Sequence, residues 1–344
     1  MHRRSGTANT AATLSGQFGN STFTTAEAER IGISARRLGI AEEAGLVTRM
    51  RRGLYLVTTP TTTPGITVPG ILTPAEADAD HRALAHHLVR EFRGRGIAAA
   101  MGDETAASVW QLPHGPQSVP SIRVSRGSGA HIGMRHGVRV REGDTGDFVS
   151  FRGQIVTSPL ATARDISRGL PRHQAVALFG LAQRRHAEWL LGGDECLEAG
   201  DLTQALADAQ WRAELGQEMR GMLHDSARRQ QWNASADPRP ETYLEGISWG
   251  RFTGWRLGDM KPQEWVQGAS GRRYRVDVLI DGVAGEADGA VKYGSRESLW
   301  KEKLRQEDIE NGGTPVVRWT YAEAEHRPGV LRERWRNALH RHAA

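Results

Sequence analysis

The stretch Arg273-Tyr274-Arg275-Val276-Asp277-Val278-Leu279-Ile280, then Asp281-Gly282, then Val283-Ala284-Gly285-Glu286-Ala287-Asp288, decides how the C-terminal third of the chain is read. Its first segment is rich in β-branched and aromatic residues and predicts a strand. Asp-Gly is a preferred two-residue hairpin turn, so Val283 to Asp288 is expected to return beside it. With Asp281 and Gly282 in the turn, Ile280 is placed opposite Val283 and Asp277 opposite Glu286. Asp288 follows two residues after Glu286 and shares its face, because side chains alternate along a strand. Three carboxylates are thereby expected to converge, with Arg275 opposite Asp288. Facing like charges destabilise a sheet, and crowded acids resist joint ionisation unless a cation compensates them. A divalent cation is one such partner, because Mg²⁺ takes oxygen ligands from one or two carboxylates and keeps waters. The competing reading is a polar hairpin rim neutralised by arginines.

Outward from the hairpin, Asp237-Pro238-Arg239-Pro240 ends one element, and a helix is expected from Glu241 through Tyr243, Leu244 and Glu245 toward Trp249 and Phe252. Glu241 and Glu245, four apart, would share one face. On the far side, Ser295 is a candidate cap for a helix from Arg296 to Glu310, with Leu299, Trp300 and Leu304 inward. Lys301, Lys303 and Arg305 would then meet a DNA backbone or form ordinary pairs with Glu297 and Glu307. Gly312-Gly313 closes that helix, and Pro315 to Tyr321 reads as a buried strand.

This α/β core resembles the PD-(D/E)XK restriction-endonuclease-like fold, in its very-short-patch-repair-like branch, from Pro240 to about Trp319. The phrases that carry the resemblance are Arg275-Val276-Asp277, Gly285-Glu286-Ala287-Asp288-Gly289, Val291-Lys292-Tyr293 and Val316-Val317-Arg318-Trp319. It implies Glu241 as the helix acid, Asp277 and Glu286 as ligands of Mg²⁺ or Mn²⁺, Asp288 as a further acid, and Lys292 as stabiliser of the transition state of phosphodiester hydrolysis. The chain departs from the family pattern where a lysine is expected two residues after the second acid: Asp288 stands there, and Lys292 comes later. A nuclease fold without cleavage is the alternative.

At the other end, Phe23 to Arg30 carries threonine caps followed by helix formers, and Gly32 ends it. Ser34 can cap a second helix, Ala35 to Ala44, with Arg36 and Arg37 on its first turn. Leu46 to Met50 and Leu54 to Val57 are expected as two short strands around Arg51-Arg52-Gly53. Helix, turn, helix and basic hairpin predict a winged helix-turn-helix, whose second helix enters the major groove of double-stranded DNA while Arg49, Arg51 and Arg52 meet phosphates. A solvated face on a small packing module is the bland alternative. The segment resembles the N-terminal winged-helix domain of AbiEi-type antitoxins, in which a phrase like Arg52-Gly53-Leu54-Tyr55 ends the wing. That resemblance implies transcription regulation in a toxin–antitoxin setting, with a cognate toxin and a homodimer as partners.

Between the ends lies scaffold. Helices are expected from Pro74 to about Arg95, over Asp103 to Trp110, from Leu160 to Ile166, and as a long amphipathic stretch from Gln174 to Leu191. Ser121 to Val124 and Gly137 to Val140 alternate apolar and polar residues and suggest a small sheet. The section resembles the body of AbiEi-like proteins at Thr157-Ser158-Pro159. The expected organisation is α/β and multidomain: a disordered arm over 1–20, a winged helix-turn-helix over 21–58, a linker over 59–75, a mixed helical and β middle region over 76–235, and the nuclease-like core over 236–344.

Composition bounds these readings. The 344 residues are 38% hydrophobic and 25% charged, with a net charge of +5, so a polyanionic partner is favoured. Four of the 45 basic residues are lysines, and Lys292, Lys301 and Lys303 cluster near the C-terminus. Cys196, the one cysteine, excludes an intrachain disulfide and a multi-thiolate zinc site and suits a reduced, cytoplasmic compartment. No apolar run reaches the length of a membrane span. His81, His86, His87, His340 and His342 lack a companion ligand set and read as surface residues. Two functions remain: a DNA endonuclease of bacterial and mobile-element conflict, or an antitoxin-like regulator whose nuclease fold is silent.

Overall fold

Thr24 and Glu27 close a capping box, the Thr24 hydroxyl accepting the Glu27 N–H while the Glu27 carboxylate accepts the Thr24 N–H at 2.7 Å, and this starts α1 (Thr25–Arg30). Ser34 caps α2 (Ala35–Glu43) through the Arg37 N–H. Strands β1 (Thr22–Thr24), β2 (Val47–Arg51) and β3 (Leu54–Val57) form an antiparallel sheet in the order β1-β3-β2. Phe23, expected to open the helix, is instead a strand residue paired with Tyr55. Its fully buried ring stacks on Phe18 at 4.7 Å and on Tyr55 at 5.9 Å, a burial the first helix does not provide.

The computed structural model describes residues 10, 12–19, 22–57, 76–115, 119–195, 199–289 and 296–343. The expected linker over 59–75, Cys196 and Lys292 lie outside them. Part of the expected disordered arm is helical, over 12–18. Leu14 there is wholly buried in the core that holds Phe23, Leu38, Ala41 and Val47, because an apolar Leu and Phe one turn apart can close the bottom of the small sheet.

The chain divides into two compact units, Met1–Thr162 and Ala163–Ala344. In the first, α3 (Glu76–Gly94) and α4 (Asp103–Trp110) accompany a six-stranded sheet. Its strands are β4 (Ala99–Met101), β5 (Ser121–Ser125), β6 (Gly133–Arg135), β7 (Val138–Gly143), β8 (Phe148–Phe151) and β9 (Gln154–Thr157). They run in the order β6-β7-β5-β4-β9-β8, with β5/β7 and β4/β9 parallel. The sheet is larger than expected because four of its strands have only three or four residues, too few to show alternation.

The segment 163–235, expected with the middle region, packs in the second unit. After α5 (Pro159–Ile166) comes α6 (Arg172–Gly192), which is buried around most of its circumference from His173 to Ala187 rather than along one stripe. Helices α7 (Ala199–Ala205), α8 (Ala209–Met222) and α9 (Ala227–Asn233) follow, and α10 (Tyr243–Trp255) packs on α6. The approach of α6 and α10 is set by glycine. An added methyl at Gly250 would lie 2.5 Å from the His173 carbonyl oxygen, and one at Gly246 would lie 3.0 Å from the Ala177 methyl. The Gly246, Gly250, Gly254 spacing puts all three on one face.

The last sheet is ordered β10-β11-β12-β13: β10 (Met260–Gln267), β11 (Arg273–Ile280), β12 (Val283–Asp288) and β13 (Val316–Thr320). The first three are antiparallel, and β13 joins β12 in parallel. The expected turn is present: Asp281 and Gly282 both have positive φ, 43° and 82°, the conformation that suits this turn type. Strand β10 was not expected, since its Lys261-Pro262-Gln263-Glu264 interrupts the apolar pattern. Helices α11 (Arg296–Asn311), α12 (Tyr321–His326) and α13 (Pro328–Ala343) complete the unit. Phe252, Trp319 and Trp335 form its aromatic centre, with ring centroids 5.3 to 6.0 Å apart.

Candidate functional site

The winged helix presents arginine. Arg36 and Arg37 stand on the first turn of α2, which carries no acid, and both are exposed, as are Arg49 on β2 and Arg52 in the hairpin. These four have no ion pair among the described residues. The Arg51 side chain lies outside the described residues. Exposed Ile40, at 46%, adds an apolar surface to the same helix. A helix start with unpaired guanidinium groups and a basic wing can contact a phosphate backbone and base edges together.

The acidic hairpin keeps the expected register where it is bridged, and its carboxylates are largely met by arginines. Bridged pairing of β11 with β12 runs from Ile280↔Val283 to Val278↔Gly285 and stops there. On its other edge β12 pairs with β13 in parallel, from Ala284↔Val316 to Asp288↔Thr320, which sets Glu286 beside Arg318. The Asp277 carboxylate accepts the Ala287 N–H at 2.7 Å. Asp277 packs toward α10, where it joins Glu245, while Glu286 and Asp288 turn to arginines: Arg305 donates to Glu286 at 2.8 Å, and Arg318 grips Asp288 through its Nε at 3.1 Å to both oxygens. Glu302 of α11 accepts from Arg318 at 2.8 Å and from Arg305 at 3.2 Å. Glu286 and Asp288 are thus held by arginine, while Asp277 lies near enough to Glu245 and Glu286 to raise both.

Glu241 is placed differently from the expectation. It precedes the α10 cap, Thr242, and its carboxylate pairs with Arg275 at 2.9 Å and Arg184 at 3.5 Å. Arg275 therefore does not face Asp288. The acid that the helix carries toward Asp277 is Glu245, which the sequence reading placed on one face with Glu241 without giving it a role in the site. It accepts the Glu241 N–H at 2.8 Å, the Thr242 hydroxyl at 2.7 Å and the Gln263 amide at 2.8 Å. Burial, and then the neighbouring Asp277, push its pKa up to about 7 against these hydrogen bonds. With Asp277, Pro240, Ser248, Trp249 and Phe252 it lines a cavity of about 10 Å³, room for roughly one water-sized particle. Glu286, 4% exposed, is likewise raised, by burial and then by Asp277, against the Arg305 contact. The signal for its role is its place as the third helical residue after the Thr242 cap, in a Thr-x-x-Glu start, which holds it at the helix mouth.

Helix α11 is rotated relative to its expected orientation. Trp300 and Leu304, expected inward, are 58% and 47% exposed, and the inward positions belong to Glu302, Arg305 and Ile309. Arg305 faces Glu286 and not solvent, because a buried carboxylate demands a charged partner more strongly than a leucine demands cover. Ser295 and the Leu299 side chain lie outside the described residues. Lys303 pairs with Glu307 at 3.6 Å, as the four-residue spacing predicts.

For a divalent cation the donors are largely committed. Glu286 and Asp288 are held by arginine, and Asp277 and Glu245 by backbone and side-chain donors. Among the described residues no group of three or more His, Cys, Asp or Glu is arranged to hold a metal ion. In this arrangement the acids do not fit the cation that the resemblance implies. Of the histidines, His340 and His342 are exposed and His81, His86 and His87 half-buried. The deeply placed ones are His173, which donates to Glu325 at 2.9 Å, and His186, 3.2 Å from Glu218; both serve helix packing.

Residues 17–58 match the family model described as Transcriptional regulator, AbiEi antitoxin. The N-terminal segment is thus similar to an AbiEi-type antitoxin domain. The match spans the winged helix, including Arg36, Arg37, Arg49 and Arg52, and takes in the whole of β3. No curated protein matches the chain. Among the described residues no helix is long and apolar enough to cross a membrane.

Proposed function

We propose that the chain is a DNA-binding transcriptional regulator of the antitoxin kind, with its winged helix on double-stranded DNA, a cognate toxin as protein partner and a reduced cytoplasmic setting. The observation that carries this reading is the set of exposed, unpaired arginines on α2 and the wing, within the segment that matches the antitoxin family. A homodimer would place two such helices on an operator with two-fold symmetry. The acids of the hairpin, held by Arg305 and Arg318, support a C-terminal unit that acts as scaffold. The test is a footprint of the full-length protein over its own promoter, beside Arg36→Ala/Arg37→Ala. Protection by the wild type that the double variant loses supports the reading, and the absence of any protected region overturns it.

A Mg²⁺- or Mn²⁺-dependent endonuclease is the second reading. It is favoured by Asp277 standing near enough to Glu245 and Glu286 to raise both, with Glu241, Asp288 and Lys292 as the further residues of its site. It requires Arg305 and Arg318 to release their carboxylates. Supercoiled plasmid incubated with the protein in Mg²⁺, Mn²⁺ or EDTA decides it. Metal-dependent nicking lost in both Asp277→Ala and Glu286→Ala establishes the nuclease, and DNA shifted without nicking leaves the regulator.

A further inference from the structure

In the second unit, the segment 234–237, the later part of α10 and the start of β10 line a cleft of about 490 Å³, within the range of roughly 300–1,000 Å³ in which pockets take one small molecule. Trp249 and Met260 give it apolar walls, and Ser235, Asp237, Thr253 and Arg256 give it polar groups. The Trp249 indole N–H donates to the Ser235 carbonyl at 2.8 Å, which fixes the ring in place. Asp237 is the one carboxylate among the lining residues. Arg239 meets both of its oxygens, at 2.9 and 2.7 Å, so that charge is answered within the fold.

Two cations beside it are not answered. Arg256 follows α10 with left-handed backbone, at φ 54°, in the place where glycine or asparagine ends a helix at less cost. Its side chain is exposed, and its guanidinium makes no ion pair or hydrogen bond among the described residues. A long cationic side chain held in a costly conformation beside a cleft is the kind of outlier from which a ligand site is inferred. Arg172, half-buried, donates to the Gly250 carbonyl at 2.6 Å, the Ser235 hydroxyl at 2.9 Å and the Thr253 hydroxyl at 3.3 Å, and it has no carboxylate partner among the described residues. Burial pulls its pKa below the ordinary arginine value, since a cation taken from water is stabilised chiefly by pairing. The Thr253 hydroxyl gives its proton to the Gly250 carbonyl at 3.2 Å. Ser235 accepts from Arg172 and gives its proton to no described residue, which leaves a polarised O–H as a donor in the cleft. We propose that the cleft binds a small carboxylic acid with an apolar body, its carboxylate on the Arg256 guanidinium and the Ser235 hydroxyl and its body against Trp249 and Met260. The planar guanidinium fork matches a carboxylate, and one fork with one hydroxyl suits a single negative charge. None of the residues of the winged helix or of the acidic hairpin takes part.

Titration calorimetry of the full-length protein with 3-phenylpropionate, 3-phenylpropanol and acetate tests the proposal, because the first carries both the carboxylate and the apolar body and the others carry one each. 3-Phenylpropionate is expected to bind about tenfold or more tightly than either. Arg256→Asn is expected to remove its advantage over 3-phenylpropanol and to leave the alcohol's own affinity unchanged, while the melting temperature holds or rises, because asparagine accepts the left-handed backbone. Ser235→Ala is expected to weaken 3-phenylpropionate by about fivefold to tenfold. No heat with 3-phenylpropionate, the alcohol or acetate binding equally well, or binding unchanged in Arg256→Asn would each overturn the assignment.

Discussion

At the scale of single residues, the chemistry of the second unit is a contest between burial and pairing. Glu245 keeps its proton to about pH 7, whereas an ordinary glutamate titrates at 4.5. Between those values the folded state binds the extra proton, so stability falls as pH rises from about 4.5 to 7. Glu245→Gln removes that dependence, and above pH 7 the variant is expected to be more stable by about 1–2 kcal/mol. Urea midpoints measured from pH 4.5 to 8 check this, and a variant that keeps the wild-type slope would count against it. Arg305 poses the opposite case, a cation whose removal strands a buried anion. Arg305→Ala is expected to cost about 3–5 kcal/mol by leaving Glu286 unpaired, and the Arg305→Ala/Glu286→Gln pair to cost much less. A double-mutant cycle by denaturation measures the difference, and additive losses would show that the two side chains act independently.

At the scale of elements, the α6–α10 pair shows a glycine whose value is the space it leaves. Alanine normally favours a helix over glycine by about 1 kcal/mol. At Gly250 the added methyl would meet the His173 backbone at 2.5 to 3.1 Å, and no side-chain rotation relieves a backbone clash. Gly250→Ala is therefore expected to destabilise the protein by about 2 kcal/mol or more despite its better helix propensity. Gly216→Ala, on α8 with open space around the position, is expected to leave stability unchanged or slightly raised. Thermal melts of both variants check the pair, and equal behaviour would mean that the α6 and α10 backbones do not touch.

At the scale of the whole molecule, a net charge of +5 says less than where the charge stands unpaired. Arginines of the second unit such as Arg184, Arg229, Arg239, Arg275, Arg305 and Arg318 are tied to carboxylates, while Arg36, Arg37, Arg49 and Arg52 of the winged helix face solvent. Affinity for duplex DNA is thus expected to fall with salt through the winged helix. Each DNA phosphate that the protein ceases to neutralise should reduce the slope of log K against log salt by about 0.9. Arg36→Ala/Arg37→Ala should lower that slope by up to about 2, and Lys301→Ala/Lys303→Ala should leave it unchanged. Binding curves at several salt concentrations check both, and a slope governed by the lysines would move the interface to α11.

What the sequence determined by itself is local. Capping at Thr24 and Ser34, the Asp281-Gly282 turn, the winged helix and the order of elements from β11 to β13 follow from backbone preferences that act over a few residues, and all were legible. The hairpin register was legible as far as Val278↔Gly285, since a turn dictates only the pairs nearest to it. What lay beyond was decided by the tertiary structure. Strand β13 brings Arg318 beside Glu286 and onto Asp288, the start of α10 at Tyr243 hands the helix acid's place from Glu241 to Glu245, and the buried carboxylates turn α11 so that Arg305 faces inward and Trp300 outward. A spacing rule counts neighbours along one element. The cost of burying a charge is settled by whichever opposite charge the whole fold can bring to it, and that partner's position is not written near it in the chain.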